Sequence, residues 1–160
     1  MAFDAAKEHL ARFGLDHNIR VLSESSATVE LAAQALGCEG KRIAKSLSFK
    51  VSDQAILIVM AGDAKLDNPK YKAKFGVKAT MLTPDEAVEL IGHAVGGVCP
   101  FGIREGVKIY LDESLKRFDF VYPACGSSNS AVKLTIEELE LACGNADWID
   151  VGKNWQESAE

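Results

Sequence analysis

The chain is poor in the residues that most often build metal or acid–base centres. It has three histidines (His9, His17 and His93) and four cysteines, with no C-x-x-C pair among them. That spacing gives no reason to expect a structural zinc site or a disulfide framework, and no cofactor is expected. There is no G-x-S-x-G elbow, no Walker loop and no dinucleotide fingerprint, which sets aside the enzyme classes that depend on them. Long apolar runs are also missing. The longest, Ala55–Gly62, is less than half of the roughly 20 residues a membrane span needs. The opening Met1–Glu8 mixes charges with small residues and has no apolar run leading to a cleavage site, so a cytoplasmic protein with no membrane partner is expected.

The composition is that of a globular protein. With 160 residues, 48% hydrophobic and 26% charged, the chain suits one domain with a substantial core. Its net charge of −5 is unevenly spread. Residues 41–78 hold nine Lys/Arg against three Asp, a balance of +6, and the remainder is at −11. An acidic protein with one basic segment is poorly suited to wrapping DNA, but it can hold a short nucleic acid through a few phosphates. A solvated lysine-rich helix face would produce the same balance.

Hydrophobic spacing predicts a helix over Phe3–Phe13 stopped by Gly14, and a short extended piece at Val21-Leu22. Thr28 is expected to cap a helix over Val29–Leu36, closed by Gly37. A short helix around Arg42–Lys45 then leads into a hairpin of Leu47–Val51 and Ala55–Ala61. A basic helix follows within Leu66–Phe75, then a strand at Val77–Met81, a helix from Pro84 to about Ile91, and a strand through Val107–Leu111. Further strands are expected at Phe118–Tyr122, Ala131–Leu134 and Trp148–Val151, with a last helix over Ile136–Cys143 and a fraying tail over 154–160. This irregular interspersion points to an α+β fold, a single domain with a mixed sheet.

Four polar, glycine-bearing segments border the strands. Gly96-Gly97-Val98-Cys99-Pro100-Phe101-Gly102 is the most irregular, and its glycines allow a backbone to approach a ligand closely before proline fixes the exit. An inert turn would use the same residues. Lys45, in the apolar frame Ile43-Ala44-Lys45-Ser46-Leu47, can serve as a point charge for a phosphate at a pocket mouth, or simply reach solvent. Asp63, Lys65 and Asp67 can bind ribose, shape a rim or form ordinary turn chemistry. Cys99 is the one cysteine inside the glycine loop, with His93 as the nearest base, although free cysteines commonly act as small buried apolar groups. The fourth segment, Gly126-Ser127-Ser128-Asn129-Ser130, is a polar loop between strands.

Four stretches occur in an order that resembles the YbaK/EbsC family, related to the editing domain inserted in bacterial prolyl-tRNA synthetase. They are Arg42–Phe49, Val59–Asp67, Gly96–Gly102 and Asp112–Leu115, within a core of residues 28–152. The resemblance implies a mixed, barrel-like sheet flanked by helices. It also implies hydrolysis of the ester between a wrong amino acid and transfer RNA, mostly the proline acceptor. Lys45 matches the family lysine that anchors the terminal nucleotide, and Gly96 with Pro100 matches its G-x-x-x-P loop, so Lys45, Gly96, Gly97 and Pro100 are the expected catalytic set. Ser46, Asp63, Lys65, Val98, Cys99, Phe101, Gly102, Ser127, Ser128 and Asn129 are the expected substrate-binding positions. Ser46 and the 126–130 loop lie where relatives vary, so the accepted amino acid stays open.

The expected site has no histidine and no acid–base pair, which argues against a triad. The substrate's own terminal ribose hydroxyl can orient or activate the attacking water while loop N–H groups stabilise the oxyanion. Two other readings remain: a binding module that holds transfer RNA ends or synthetases without hydrolysis, and a cysteine hydrolase using Cys99. The acceptor end of an aminoacyl-tRNA is the expected partner, with a synthetase or elongation factor as a further one. A contribution from Asp112 is open.

Overall fold

The computed structural model describes residues 2–155; the expected fraying of the tail beyond Trp155 lies outside them. The chain begins with α1 (Ala2–Ala11), whose Ala6 and Leu10 are buried and which ends in a turn where Gly14 takes a left-handed conformation. Strand β1 (Ile19–Val21) follows. Helix α2 (Val29–Leu36) starts as expected: the Thr28 hydroxyl accepts from the Leu31 amide, and Gly37 closes the helix at φ 69°.

The helix expected at Arg42–Lys45 is not there. A single 3-10 turn, Gly40–Arg42, passes directly into β2 (Ile43–Val51). From Ala44 to Val51 this stretch pairs with β3 (Gln54–Ala61), and cross-strand pairing overrides local helix propensity. Lys45 therefore sits inside a strand, opposite Met60. After β3 come β4 (Lys65–Leu66) and α3 (Asn68–Phe75), capped by the Asp67 carboxylate and with Pro69 in its first turn. The strand expected at Val77–Met81 reduces to one bridge, Met81 opposite Phe49.

Helix α4 (Pro84–Glu86) opens with a capping box at Thr83 and widens into a π-turn over Ala87–Ile91, closed by Gly92. Then follow β5 (Lys108–Asp112), a 3-10 turn over Glu113–Arg117, β6 (Phe120–Pro123), β7 (Ser130–Val132) and β8 (Leu134–Thr135). Helix α5 (Ile136–Ala142), β9 (Asp147–Ile149) and β10 (Gly152–Lys153) complete the described chain.

The main sheet runs β8-β6-β2-β3-β5-β9, with β1-β7 and β10-β4 as two small pairs. Only the β2–β3 and β6–β8 pairs within it are antiparallel; β2–β6, β3–β5 and β5–β9 are parallel. The result is one domain with a mixed half-barrel sheet and helices around it, the α+β architecture expected from the sequence. Strand β3 is buried almost end to end. Phe49, Ile58, Met60 and Tyr71 pack on one side of the hairpin. Ala44, Val59, Ala61 and Leu111 pack with α1 and α5 on the other. Burial of these side chains is worth about 1.5–3 kcal/mol each for the larger ones.

Asp112 is wholly buried at the end of β5 and accepts from the amides of Ser114, Val151 and Gly152. These bonds fasten the chain after β9 to the middle of the sheet, so this acid has a structural occupation. No helix among the described residues is long and apolar enough to cross a membrane.

Candidate functional site

Strand β6 accompanies β2 only at Ile43 and Ala44, and the next pairing on β2 beyond β3 is Met81 opposite Phe49. Between them the backbone of Lys45, Ser46 and Leu47 borders a cavity of about 340 Å³. An open strand edge of this kind offers unpaired N–H and C=O groups to whatever enters. The start of α2 (Thr28, Val29) forms one wall of the cavity, Val95, Gly96 and Val98 another, and Tyr122, Ala124 and Ser130 close the far side. Among the described residues that form the lining, Lys45 is the only charged one, and none is a histidine, cysteine or carboxylate.

Alternation along β2 sends Lys45 and Ser46 to opposite faces. The Lys45 ammonium turns back to the end of β3, donating to the Gly62 carbonyl at 3.4 Å and to the Ala64 carbonyl. Burial lowers its pKa from the ordinary lysine value, and the Asp63 carboxylate partly restores it. Two of its three protons are thus engaged and one remains for a ligand. Ser46 lines the cavity, and its hydroxyl is buried with no hydrogen-bond partner among the described residues.

Of the expected site residues, the fold brings Lys45, Ser46, Gly96 and Val98 to the cavity. Gly97 stands behind them: a Cβ there would lie 2.7 Å from the Ser127 amide nitrogen, so the 96–102 and 126–130 loops stack backbone on backbone. Cys99, Pro100 and Phe101 are buried beneath the loop. Gly102 meets α1, where a Cβ would press on Ala5, and Gly126 meets the same helix at Ala2.

His9 on α1 ties this corner together. The Gly102 amide donates to its Nδ1 at 3.1 Å, and its Nε2 donates to the Ala142 carbonyl at 2.6 Å.

The other expected residues act at one remove from the cavity. Asp63 is held by Arg117 through two hydrogen bonds of 2.6 and 3.0 Å. Lys65 is exposed on β4. Ser128 accepts through its carbonyl from both the amide and the hydroxyl of Ser26. The Asn129 side chain donates to the Leu22 carbonyl, and Ser127 bonds to Asn129 and Ser130. The 126–130 loop therefore fixes the segment that leads into α2, and that segment lines the cavity.

Sequence reasoning did not single out Ser26–Val29, Met81, Leu82, Tyr122, Ala124 or Ser130 as site residues. Most are apolar or small, and only tertiary contact gives them a role. Thr28 was readable as a helix cap, and nothing local marks that cap as a cavity wall.

Cys99 is fully buried, and desolvation pushes its thiol far above the ordinary range. Its sulfur lies 4.0 Å from His93 Nδ1, but His93 is itself buried and its pKa lowered by desolvation. Neither a thiolate nor an imidazolium is favoured there, so the cysteine-hydrolase reading has no activated nucleophile. Among the described residues, no three His, Cys, Asp or Glu are grouped to hold a metal ion.

Comparison with known proteins agrees with this geometry. Residues 23–141 match the aminoacyl-tRNA editing domain family. The uncharacterised protein YwhH of Bacillus subtilis is 50% identical over 157 residues, 98% of this chain and all of that one. The proline–tRNA ligase of Halalkalibacterium halodurans is 33% identical over 104 residues, 64% of this chain. The chain spans less than a fifth of that ligase's length, 18%. A crystal structure proposed to be that of a trans-editing enzyme for prolyl tRNA synthetase superposes with a TM-score of 0.86. It is 32% identical, over 96% of this chain and 98% of that one.

Proposed function

The chain belongs to the aminoacyl-tRNA editing domain family, and from that premise we propose that it hydrolyses the ester linking a small non-cognate amino acid to transfer RNA, chiefly the proline acceptor. The observation that carries this reading is the cavity at the open edge of β2. It has one ammonium, serine hydroxyls and a glycine loop around it, and no histidine, cysteine or carboxylate among the described residues that line it. Such a site can bind and orient an ester, and the substrate must then supply part of the chemistry.

In this mechanism Lys45 holds a phosphate of the terminal nucleotide and so sets the ester against the loop that begins at Gly96. Water attacks the ester carbonyl, with the neighbouring ribose hydroxyl orienting it and relaying its proton: the hydroxyl takes the water's proton as it passes its own to the departing ribose oxygen. Backbone N–H groups of the loop stabilise the oxyanion. The carbonyl–oxygen bond to the ribose then breaks, the released ribose oxygen takes a proton, and the amino acid leaves as a carboxylic acid. Gly96, Gly97 and Pro100 act through the shape of the loop, and Ser46 and Val98 meet the aminoacyl group.

Selection against the correct prolyl group follows from size. A missing methylene changes attraction by only ~1–3 kcal/mol, whereas a pocket too small for a ring excludes it. Under this reading alanyl, seryl, cysteinyl and 2-aminobutyryl groups are the candidate classes.

The test is to incubate the protein with proline-acceptor transfer RNA charged separately with alanine, serine, cysteine, 2-aminobutyrate and proline. Release of one or more small residues with the prolyl ester spared is the expected result. No release from any of them overturns the reading in favour of a fold used for binding alone. Replacing the ribose hydroxyl beside the ester with hydrogen is expected to cut turnover far more than binding; unchanged turnover overturns the substrate-assisted step.

A further inference from the structure

The chain passes Lys45 at Ala64, whose carbonyl accepts from its ammonium, and reaches the cavity rim at Met81. Between these points lie five lysines (Lys65, Lys70, Lys72, Lys74 and Lys78) and one acid, Asp67. The Asp67 carboxylate is occupied, accepting from the Lys70 amide to cap α3. Lys70 is spent within the fold, on Asp150 at 3.0 Å and the Gly152 carbonyl at 3.1 Å, and Lys74 lies over the Tyr110 ring. Lys65, Lys72 and Lys78 are exposed, and among the described residues none of them makes an ion pair. Lys72 and Lys78 border one groove of about 560 Å³ with Asn68, Pro69 and Ala79. Lys78 precedes the rim residue Met81 by three positions, at most ~10 Å of chain.

We propose that this face, through Lys65, Lys72 and Lys78, receives the sugar–phosphate backbone of the acceptor stem as it emerges from the cavity. The inference rests on the reading above that the substrate is an RNA ester. A terminal nucleotide held beside Lys45 obliges the preceding nucleotides to leave across the rim, and this segment runs from a carbonyl bonded to Lys45 to the rim residue Met81. The rest of the protein carries a balance of −9, so its net charge disfavours a polyanion elsewhere and favours this path. That arrangement fixes the direction of approach as well as the contact.

The experiment is equilibrium binding of fluorescently labelled, uncharged proline-acceptor transfer RNA to the full chain, followed by anisotropy between about 50 and 200 mM salt. Each phosphate contact contributes ~0.9 to the slope of log affinity against log salt. Lys72→Ala with Lys78→Ala is expected to flatten that slope by about 2 and to weaken binding at least tenfold at the low-salt end. Lys7→Ala with Arg12→Ala, two exposed cations on α1 and in the turn that follows it, removes the same charge and is expected to change binding by less than about threefold. Thermal melts establish that both double variants remain folded.

An unchanged slope and affinity in the Lys72/Lys78 variant overturns the proposal. So does a defect that shows only in binding to a prolyl-tRNA synthetase, which would make the face a protein-docking surface. Lysine-dependent RNA binding by a wild-type protein that deacylates nothing would overturn the hydrolase reading and leave this one standing. Active deacylation with lysine-independent binding would do the reverse.

Discussion

The imidazole of His9 lies between Gly102 and Ala142, accepting from the amide of the first and donating to the carbonyl of the second. One ring thereby joins the first helix, the exit of the glycine loop and the end of α5. Only the neutral ring with its proton on Nε2 makes both bonds. His9→Ala is expected to leave the two backbone groups without partners and to cost about 2 kcal/mol, a fall in Tm of roughly 4–8 °C. Because the loss falls on the loop, kcat for deacylation should drop more than KM rises. Paired calorimetry and kinetics check both.

Gly97 tests the contact between the loops. A Cβ there would meet Gly126 and Ser127 backbone atoms at 2.7–2.9 Å, distances that only movement of one loop relieves. Gly97→Ala is expected to reduce deacylation by on the order of 100-fold, since a displacement near 1 Å at a reacting centre has that effect. Gly106→Ala is the matched control. Its backbone, unlike that of Gly97, is left-handed, and nothing lies within 4 Å of the added carbon, so about 1–2 kcal/mol of stability is lost and the rate should hold.

Lys45→Ala is expected to remove most activity, roughly 100-fold or more, while the protein still melts cooperatively. The wild-type ammonium also has a signature of its own. Followed by NMR, its titration midpoint should fall below the ordinary 10.5, because burial disfavours the charged form. The sign of the linkage follows. The unfolded chain binds more protons than the native one through the interval between the two midpoints, so the contribution of this group to stability rises as pH climbs through it.

Arg117→Met is expected to release Asp63, which the guanidinium holds by two charge-assisted bonds. Asp63 also sits between Gly62 and Ala64, whose carbonyls accept from Lys45. The variant should lose about 1.5–3 kcal/mol and raise KM for charged transfer RNA. A KM equal to wild type would place Asp63 outside the positioning of Lys45.

Thiol labelling of the native protein should modify Cys38 and spare the other three cysteines until unfolding. Cys38 is partly exposed, while Cys99, Cys125 and Cys143 are buried, with the Cys125 thiol pushed up to about 12. Mass spectrometry after a timed pulse reads the pattern, and Cys99→Ala should keep its deacylase activity.

The parts of the fold that were legible in the sequence were those set by local rules. Thr28 and Gly37 bracket α2, and Asp67 and Pro69 open α3, because caps and proline act over a few residues. The β2–β3 hairpin was legible because a polar turn separates two apolar stretches. The Arg42–Lys45 region failed for the converse reason: its strand pairing with β3 is decided across the sheet. The bridge at Met81 has no sequence signature at all. In the site, Lys45 and the 96–102 loop stood out by residue type. Tyr122, Ala124 and the Ser26–Val29 wall did not, because the cavity arises where β6 diverges from β2, a property of the sheet's closure.

The Asp112 carboxylate and the His9 imidazole also set an order of assembly. Asp112 waits for residues 151 and 152, and His9 waits for residues 102 and 142, so neither anchor is complete until residues far downstream of β2 have left the ribosome. Contacts of such long sequence separation close slowly. The hairpin and α3 can form early, but the glycine loop acquires its final support only after residue 142 has emerged. A nascent chain therefore carries the lysine-bearing strand long before it carries a finished pocket.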